Sequence, residues 1–90
     1  MMKAIITVVG PDRVGIIAEV CTLLAQMKIS VVEISQTIMQ STFTMIMLVQ
    51  ATQGAPEFDE VQQRLVQKGE QMGLSIRIQR EDIFNAMHTI

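Results

Sequence analysis

The sequence has few of the residues that small catalytic and metal-binding domains depend on. One cysteine (Cys21), one histidine (His88) and one asparagine (Asn85) occur in 90 residues. A lone cysteine excludes an internal disulfide and fits a reducing compartment. There is no Cys-x-x-Cys, no HExxH, no phosphate loop ending in Gly-Lys-Ser or Gly-Lys-Thr, and no Ser-His-Asp set. An acylphosphatase-type enzyme would need an arginine in a phosphate-cradling loop and an asparagine to position water. Arg13 could serve as the first, but Asn85 sits in the C-terminal tail. Catalysis is not expected, nor is any cofactor or metal.

Charge of one sign is also missing. Seven Lys and Arg against nine Asp and Glu give a net charge of -2, and the basic residues are scattered singly. That leaves no footprint for direct nucleic acid binding or for an acidic membrane. No apolar run approaches about 18 residues. The opening Met1-Met2-Lys3-Ala4 lacks the build of a signal peptide. A soluble, cytoplasmic protein without membrane partners is the expectation.

What the chain has in excess is apolar material: 49% of residues are hydrophobic and the mean hydropathy is +0.35. A chain this short buries only roughly 60 to 65% of the surface its unfolded form exposes. A small monomer has difficulty hiding so much. The composition therefore predicts self-association, as a homodimer or a dimer of dimers, of one domain spanning residues 1–90, with a core at 3–80 and a tail at 81–90.

Lys3 to Val9 alternates, with Ala4, Ile6 and Val8 on one face, and reads as a strand that Gly10-Pro11 breaks. A helix is expected from Arg13 to about Met27, with Asp12 at its N-cap. Two apolar stripes run along it: Val14, Ile17, Cys21 and Leu24, and beside them Ile16, Val20, Leu23 and Met27. One should face the core and the other a partner or a neighbouring strand. Ser30 to Met39 and Phe43 to Ala51 read as strands joined by the short polar Gln40-Ser41-Thr42. The unbroken run Met45-Ile46-Met47-Leu48-Val49 predicts a central strand covered on both faces. Glu57 to Met72 is an ordinary amphipathic helix with Phe58, Val61, Leu65 and Met72 on its apolar side, and Gly73 stops it. Leu74 to Arg80 alternates cleanly as a half-solvated strand. A short helix after Asp82 would carry Ile83, Phe84, Met87 and Ile90 on a sticky face.

This order is the ferredoxin-like split βαβ pattern, an α+β fold of type βαββαβ. It has a four-stranded antiparallel sheet with two helices on one face. The other face is left open, and the double-sided apolarity of the third strand predicts that a second copy, or in part the tail, closes it.

The stretch that carries chemistry is Gly10-Pro11-Asp12-Arg13-Val14-Gly15-Ile16. A strand-turn-helix corner points free backbone amides outward and adds the positive end of a helix dipole, which suits an anion or a carboxylate. Asp12 is first of all a cap, and could also meet a ligand ammonium. Arg13 could grip a carboxylate bidentately or stand in solvent. Gly15 reads equally as a point of close approach or as tight helix-sheet packing. Gln36 fits an exposed edge, Cys21 a small core hydrophobe, and His88 a surface or docking residue. The eight methionines fit an adaptable core or interface.

The Gly-Pro-Asp-Arg-Val-Gly-Ile turn, the helix start Ile17-Ala18-Glu19-Val20 with Leu23-Leu24, and Ser30-Val31-Val32-Glu33-Ile34-Ser35-Gln36 together resemble an ACT domain over residues 3 to 80. The ending Glu81-Asp82-Ile83-Phe84-Asn85-Ala86-Met87-His88 resembles the stand-alone branch related to the glycine-cleavage repressor group. The resemblance implies regulation: amino acids or related small metabolites bound at a dimer interface. It also implies a ligand set of Gly10, Asp12, Arg13, Val14, Gly15 and Ile16 from one copy with Ser30, Val31 and Val32 from its neighbour. Ser30 departs from the asparagine that many amino-acid-binding members carry there; a hydroxyl has less reach and one donor instead of two. A ligand-free module that binds an enzyme or a transcription factor is the alternative.

Overall fold

Alternating apolar residues need a sheet with one covered face, and the computed structural model, which describes residues 2–82, supplies it. The order is β1 (Lys3–Pro11), α1 (Ile16–Gln26), β2 (Ile29–Met39), β3 (Thr42–Ala51), α2 (Phe58–Met72) and β4 (Ser75–Arg80). The strands form one four-stranded sheet in the order β2-β3-β1-β4, antiparallel at every seam. Ala4, Ile6 and Val8 of β1, Met45, Met47 and Val49 of β3, and Ile76 and Ile78 of β4 are buried in one cluster with Ile16, Val20 and Leu24 of α1 and Val61 and Leu65 of α2. Both helices thus pack on one sheet face, and the βαββαβ expectation holds. The expected helix beyond Asp82, with Ile83, Phe84, Met87 and Ile90, lies outside the described residues, as does His88.

Local signals explain most boundaries. Gly73 closes α2 at φ 73°, with Leu74 N–H donating to the Gly69 carbonyl at 2.8 Å. That left-handed cap costs glycine nothing. Gly69 lies where α2 presses on the start of β4: a Cβ there would stand 2.6 Å from the Leu74 carbonyl oxygen. Between α1 and β2, Lys28 turns the chain at φ 60°. Its carbonyl is held by both the backbone amide (3.0 Å) and the hydroxyl (2.6 Å) of Thr52.

Three expectations need correction. The first strand does not break at Gly10: it runs on through Pro11, pairing Gly10 with Phe43 and Pro11 with Thr42. The helix then starts at Ile16 rather than Arg13, and its N-cap is Gly15, not Asp12. The Asp12 backbone N–H is taken instead by the Ser41 carbonyl at 2.9 Å, which ties residue 12 to the turn before β3. On α1 the two stripes merge into one core line, Ile16, Val20, Leu24 and Met27, with Ile17, Cys21 and Leu23 half-buried on its flanks. Val14 lies before the helix and is 95% exposed.

β3 is central, between β2 and β1, but it is not covered on both sides by the described residues. Phe43, Met45, Met47 and Val49 face the helices, whereas Ile46 on the open face is exposed. The turn before it is two residues, Gln40 and Ser41, both left-handed at φ 50° and 69°. Thr42 already belongs to the strand.

Candidate functional site

β1 delivers the chain to the corner at the edge of its sheet, and three contacts set the corner's shape. Gly10 lies close against Leu74: a Cβ would run into the end of the Leu74 side chain and stand 3.3 Å from the Leu74 Cα. The Asp12–Ser41 hydrogen bond ties the corner to the β2–β3 hairpin. Gly15 turns the backbone at φ 93°, a conformation that L-residues rarely adopt, and its carbonyl accepts the first helical hydrogen bond from Glu19 N–H at 2.9 Å. Tight helix-sheet packing does not describe Gly15, since within the chain an added Cβ would meet only the Glu19 carboxylate, at 3.8 Å. Its dihedral alone calls for glycine.

Among the described residues no side chain caps the first turn of α1. Its amides are left to solvent or to a ligand, at the positive end of the helix dipole. Arg13 is the cation beside them, and it does not stand free. Its guanidinium donates to Glu19 Oε2 at 2.7 Å, while Lys68 Nζ of α2 lies 3.5 Å from Glu19 Oε1. Two cations therefore flank one carboxylate at the head of α1. Glu19 was not singled out from the sequence; an acid in the first turn of a helix that follows an arginine was the available signal. All three side chains are partly open to solvent, so each bridge contributes no more than about 1 kcal/mol.

The other half of the expected site lies elsewhere. Gly10 pairs with Phe43, which pairs with Ile38 near the end of β2, whereas Ser30 pairs with Gln50, which pairs with Lys3 at the far end of the sheet. Seven residues of strand separate the two levels, about 23 Å at 3.3 Å per residue. Within one chain the structure does not bring Ser30, Val31 and Val32 to the corner. Those residues open an edge strand that is exposed from Ser30 to Met39. A bulge at Val32, between the pairs Val31–Val49 and Glu33–Leu48, twists its start. Clefts occur elsewhere, one of about 560 Å³ at β4 and α2 that includes Val66 and Arg77, and one of about 240 Å³ between α1 and α2 that includes Glu19 and Lys68. Neither includes a residue of the corner.

Among the described residues no group of three His, Cys, Asp or Glu is placed to hold a metal ion, and no helix is long and apolar enough to cross a membrane.

Comparison with known proteins agrees with this architecture. A family model described as ACT domain matches residues 3–79. A UPF0237 protein of Clostridium acetobutylicum is 55% identical over 89 residues, covering 99% of this chain and all of that one. Among solved structures, an ACT domain protein from Streptococcus pneumoniae superposes with a TM-score of 0.82 at 37% identity, over 97% of this chain and 98% of that one. A candidate glycine cleavage system transcriptional repressor superposes with a TM-score of 0.77 at 28% identity, over 88% of this chain but only 45% of its own longer chain. With a family match across nearly the whole fold and relatives of the same length, this chain belongs to the ACT domain family.

Proposed function

We propose that this protein is a regulatory ACT module, not an enzyme, and that it works as a homodimer sensing an amino acid or related small carboxylate between two copies. The observation that carries this reading is the edge strand β2. Among the described residues it offers an eleven-residue strand with one unpaired backbone edge, together with exposed Val31, Val32, Ile34, Ile38 and Met39. A long, apolar, uncovered edge is a template for another strand. A second copy of β2, running antiparallel across a two-fold axis, would satisfy its backbone groups and shelter those side chains. It would also bring the start of each β2 to the other copy's β2 end, where the corner stands. The two expected halves of the site, Gly10 to Ile16 and Ser30 to Val32, would then meet across the interface. Neither copy alone has both.

Within that cleft Arg13 and the uncapped amides of α1 would take a ligand carboxylate, and Asp12 or the Ser30 hydroxyl its ammonium. The test is a thermal-shift screen of the twenty amino acids at millimolar concentration. A ligand present at 100 times its Kd stabilises by about 2.7 kcal/mol. The reading expects at least one amino acid to raise Tm, and Arg13→Ala to abolish the rise; twenty silent ligands would reject sensing of amino acids.

One observation favours the ligand-free alternative, an interaction module that docks on an enzyme or transcription factor. Arg13 is already engaged by Glu19 at 2.7 Å, and Ser30 lacks the reach of asparagine. On that reading no small molecule shifts Tm, and a single protein co-purifies in stoichiometric amount.

A further inference from the structure

Resting on the carboxylate site just proposed, we infer that Glu19 holds Arg13 as an internal stand-in for the ligand's carboxylate, and that Lys68 takes Glu19 over when a ligand displaces it. The two oxygens of one carboxylate carry the inference. Glu19 Oε2 accepts from the Arg13 guanidinium at 2.7 Å, and the same oxygen would lie 3.8 Å from a Cβ on Gly15. The carboxylate therefore lies beside the N-cap residue of its own helix, near amides that no described side chain caps. A carboxylate gains most from the helix dipole there, whether it belongs to the chain or to a ligand. The second oxygen, Glu19 Oε1, is 3.5 Å from Lys68 Nζ of α2.

The three side chains are not held alike. Arg13 stands in the connection between Pro11 and Ile16 and is 44% exposed, whereas Lys68 stands inside α2 and is 26% exposed. Arg13 is the member that can turn to an arriving anion, and Lys68 the one that stays. Charge gives the exchange its direction. Two cations and one acid leave one positive charge unmatched. A ligand carboxylate on Arg13 completes the set, with Glu19 passing to Lys68 and each cation facing one acid. Without Lys68, two acids would compete for one guanidinium, and like charges at short range oppose binding. Lys68 is thus a positioning residue that acts on the ligand through Glu19. The engaged Arg13, which taken alone favours a ligand-free module, is on this account the resting state of the site. All three groups are partly open to water, so the competition changes affinity by no more than about fivefold.

The experiment has two arms on the full chain. The first needs no ligand: phenylglyoxal, which attacks guanidinium groups, labels Arg13 at a rate read by peptide mass spectrometry, with Arg77 of β4 as internal reference. Glu19→Gln should speed the labelling of Arg13 by about threefold to fivefold and Lys68→Met should slow it, with Arg77 unchanged in both. The second arm is the thermal-shift screen of the twenty amino acids. Any that raises Tm should act at about threefold to fivefold lower concentration in Glu19→Gln and at higher concentration in Lys68→Met, and Lys68→Arg should restore the wild-type response. In the double variant, Glu19→Gln with Lys68→Met, the loss of Lys68 should no longer matter, which separates its part from plain attraction of an anion. Labelling of Arg13, or the response to amino acids, unchanged in Glu19→Gln overturns the stand-in and leaves sensing intact. Twenty amino acids silent in both wild type and Glu19→Gln overturn sensing and the competition together, whatever the labelling rate.

Discussion

Three glycines do three different jobs, and each follows from one measurement. Gly10 gives way to Leu74, Gly15 holds a left-handed dihedral at φ 93°, and Gly69 lets α2 approach the backbone of β4. The last two predict a loss of stability on substitution by alanine, for different reasons. In an exposed helix interior, Gly→Ala stabilises by about 1 kcal/mol through propensity. Gly69→Ala should instead destabilise by about 2 kcal/mol, because its Cβ would lie 2.6 Å from a backbone carbonyl that cannot rotate away. Gly15→Ala has open space for its Cβ and should cost about 1 to 2 kcal/mol through the dihedral alone. Urea unfolding of the two variants checks both, and a stabilised Gly69→Ala would refute the close approach. The sequence marked Gly15 as special but not why, since close approach, tight packing and a positive φ all call for glycine. Asp12 misled for a related reason. It has the side chain of an N-cap, and its fate was decided by a hydrogen bond to Ser41, 29 positions away in the chain.

At the level of elements, periodicity was readable wherever one face was buried and the other wet. β1 and β4 alternate, α2 is amphipathic, and each buries the face the pattern marks as apolar; in a strand a slip of one residue would turn every apolar side chain outward. β3 was harder. Its continuous apolar run marked a central strand correctly, but a run does not say what lies on the second face, and Ile46 there is 43% exposed. The start of α1 was hidden too, since what delays it is the extension of β1 along Phe43 and Thr42, a pairing no local signal encodes. The β2–β3 turn was visible as polar residues but not as strain. Two-residue hairpins with positive φ at both positions favour Asn-Gly, and here Gln40 and Ser41 take those conformations. Replacing them together, Gln40→Asn with Ser41→Gly, should stabilise the fold by about 1 kcal/mol without altering strand register. Denaturant midpoint and amide exchange across β2 and β3 would report it. An unchanged or lowered midpoint would mean that the side chains of Gln40 and Ser41 make up for their dihedrals.

For the whole molecule, the distribution of leftover apolar surface matters more than its amount. Five of the exposed large apolar residues, Val31, Val32, Ile34, Ile38 and Met39, belong to β2, while Val9 and Ile46 lie on the open sheet face. Either surface could bring two copies together, and only the edge places Ser30 near a corner. One substitution separates them. Ile34 is 47% exposed, so Ile34→Lys should change monomer stability by less than about 1 kcal/mol, yet a charge in the middle of an edge blocks strand addition. The expected result is a folded monomer by sedimentation at about 10 µM with an unchanged circular dichroism spectrum. If the ligand site is shared between copies, any amino acid that raises the Tm of the wild type should lose its effect in this variant, although every residue of the corner is intact. In the wild type the response should strengthen with protein concentration, because a ligand that binds only the dimer also favours its assembly. A variant that stays dimeric would move the interface to the open face around Ile46. A monomer that still answers to ligand would confine the whole site to one chain, and Ser30, Val31 and Val32 would then have no part in it.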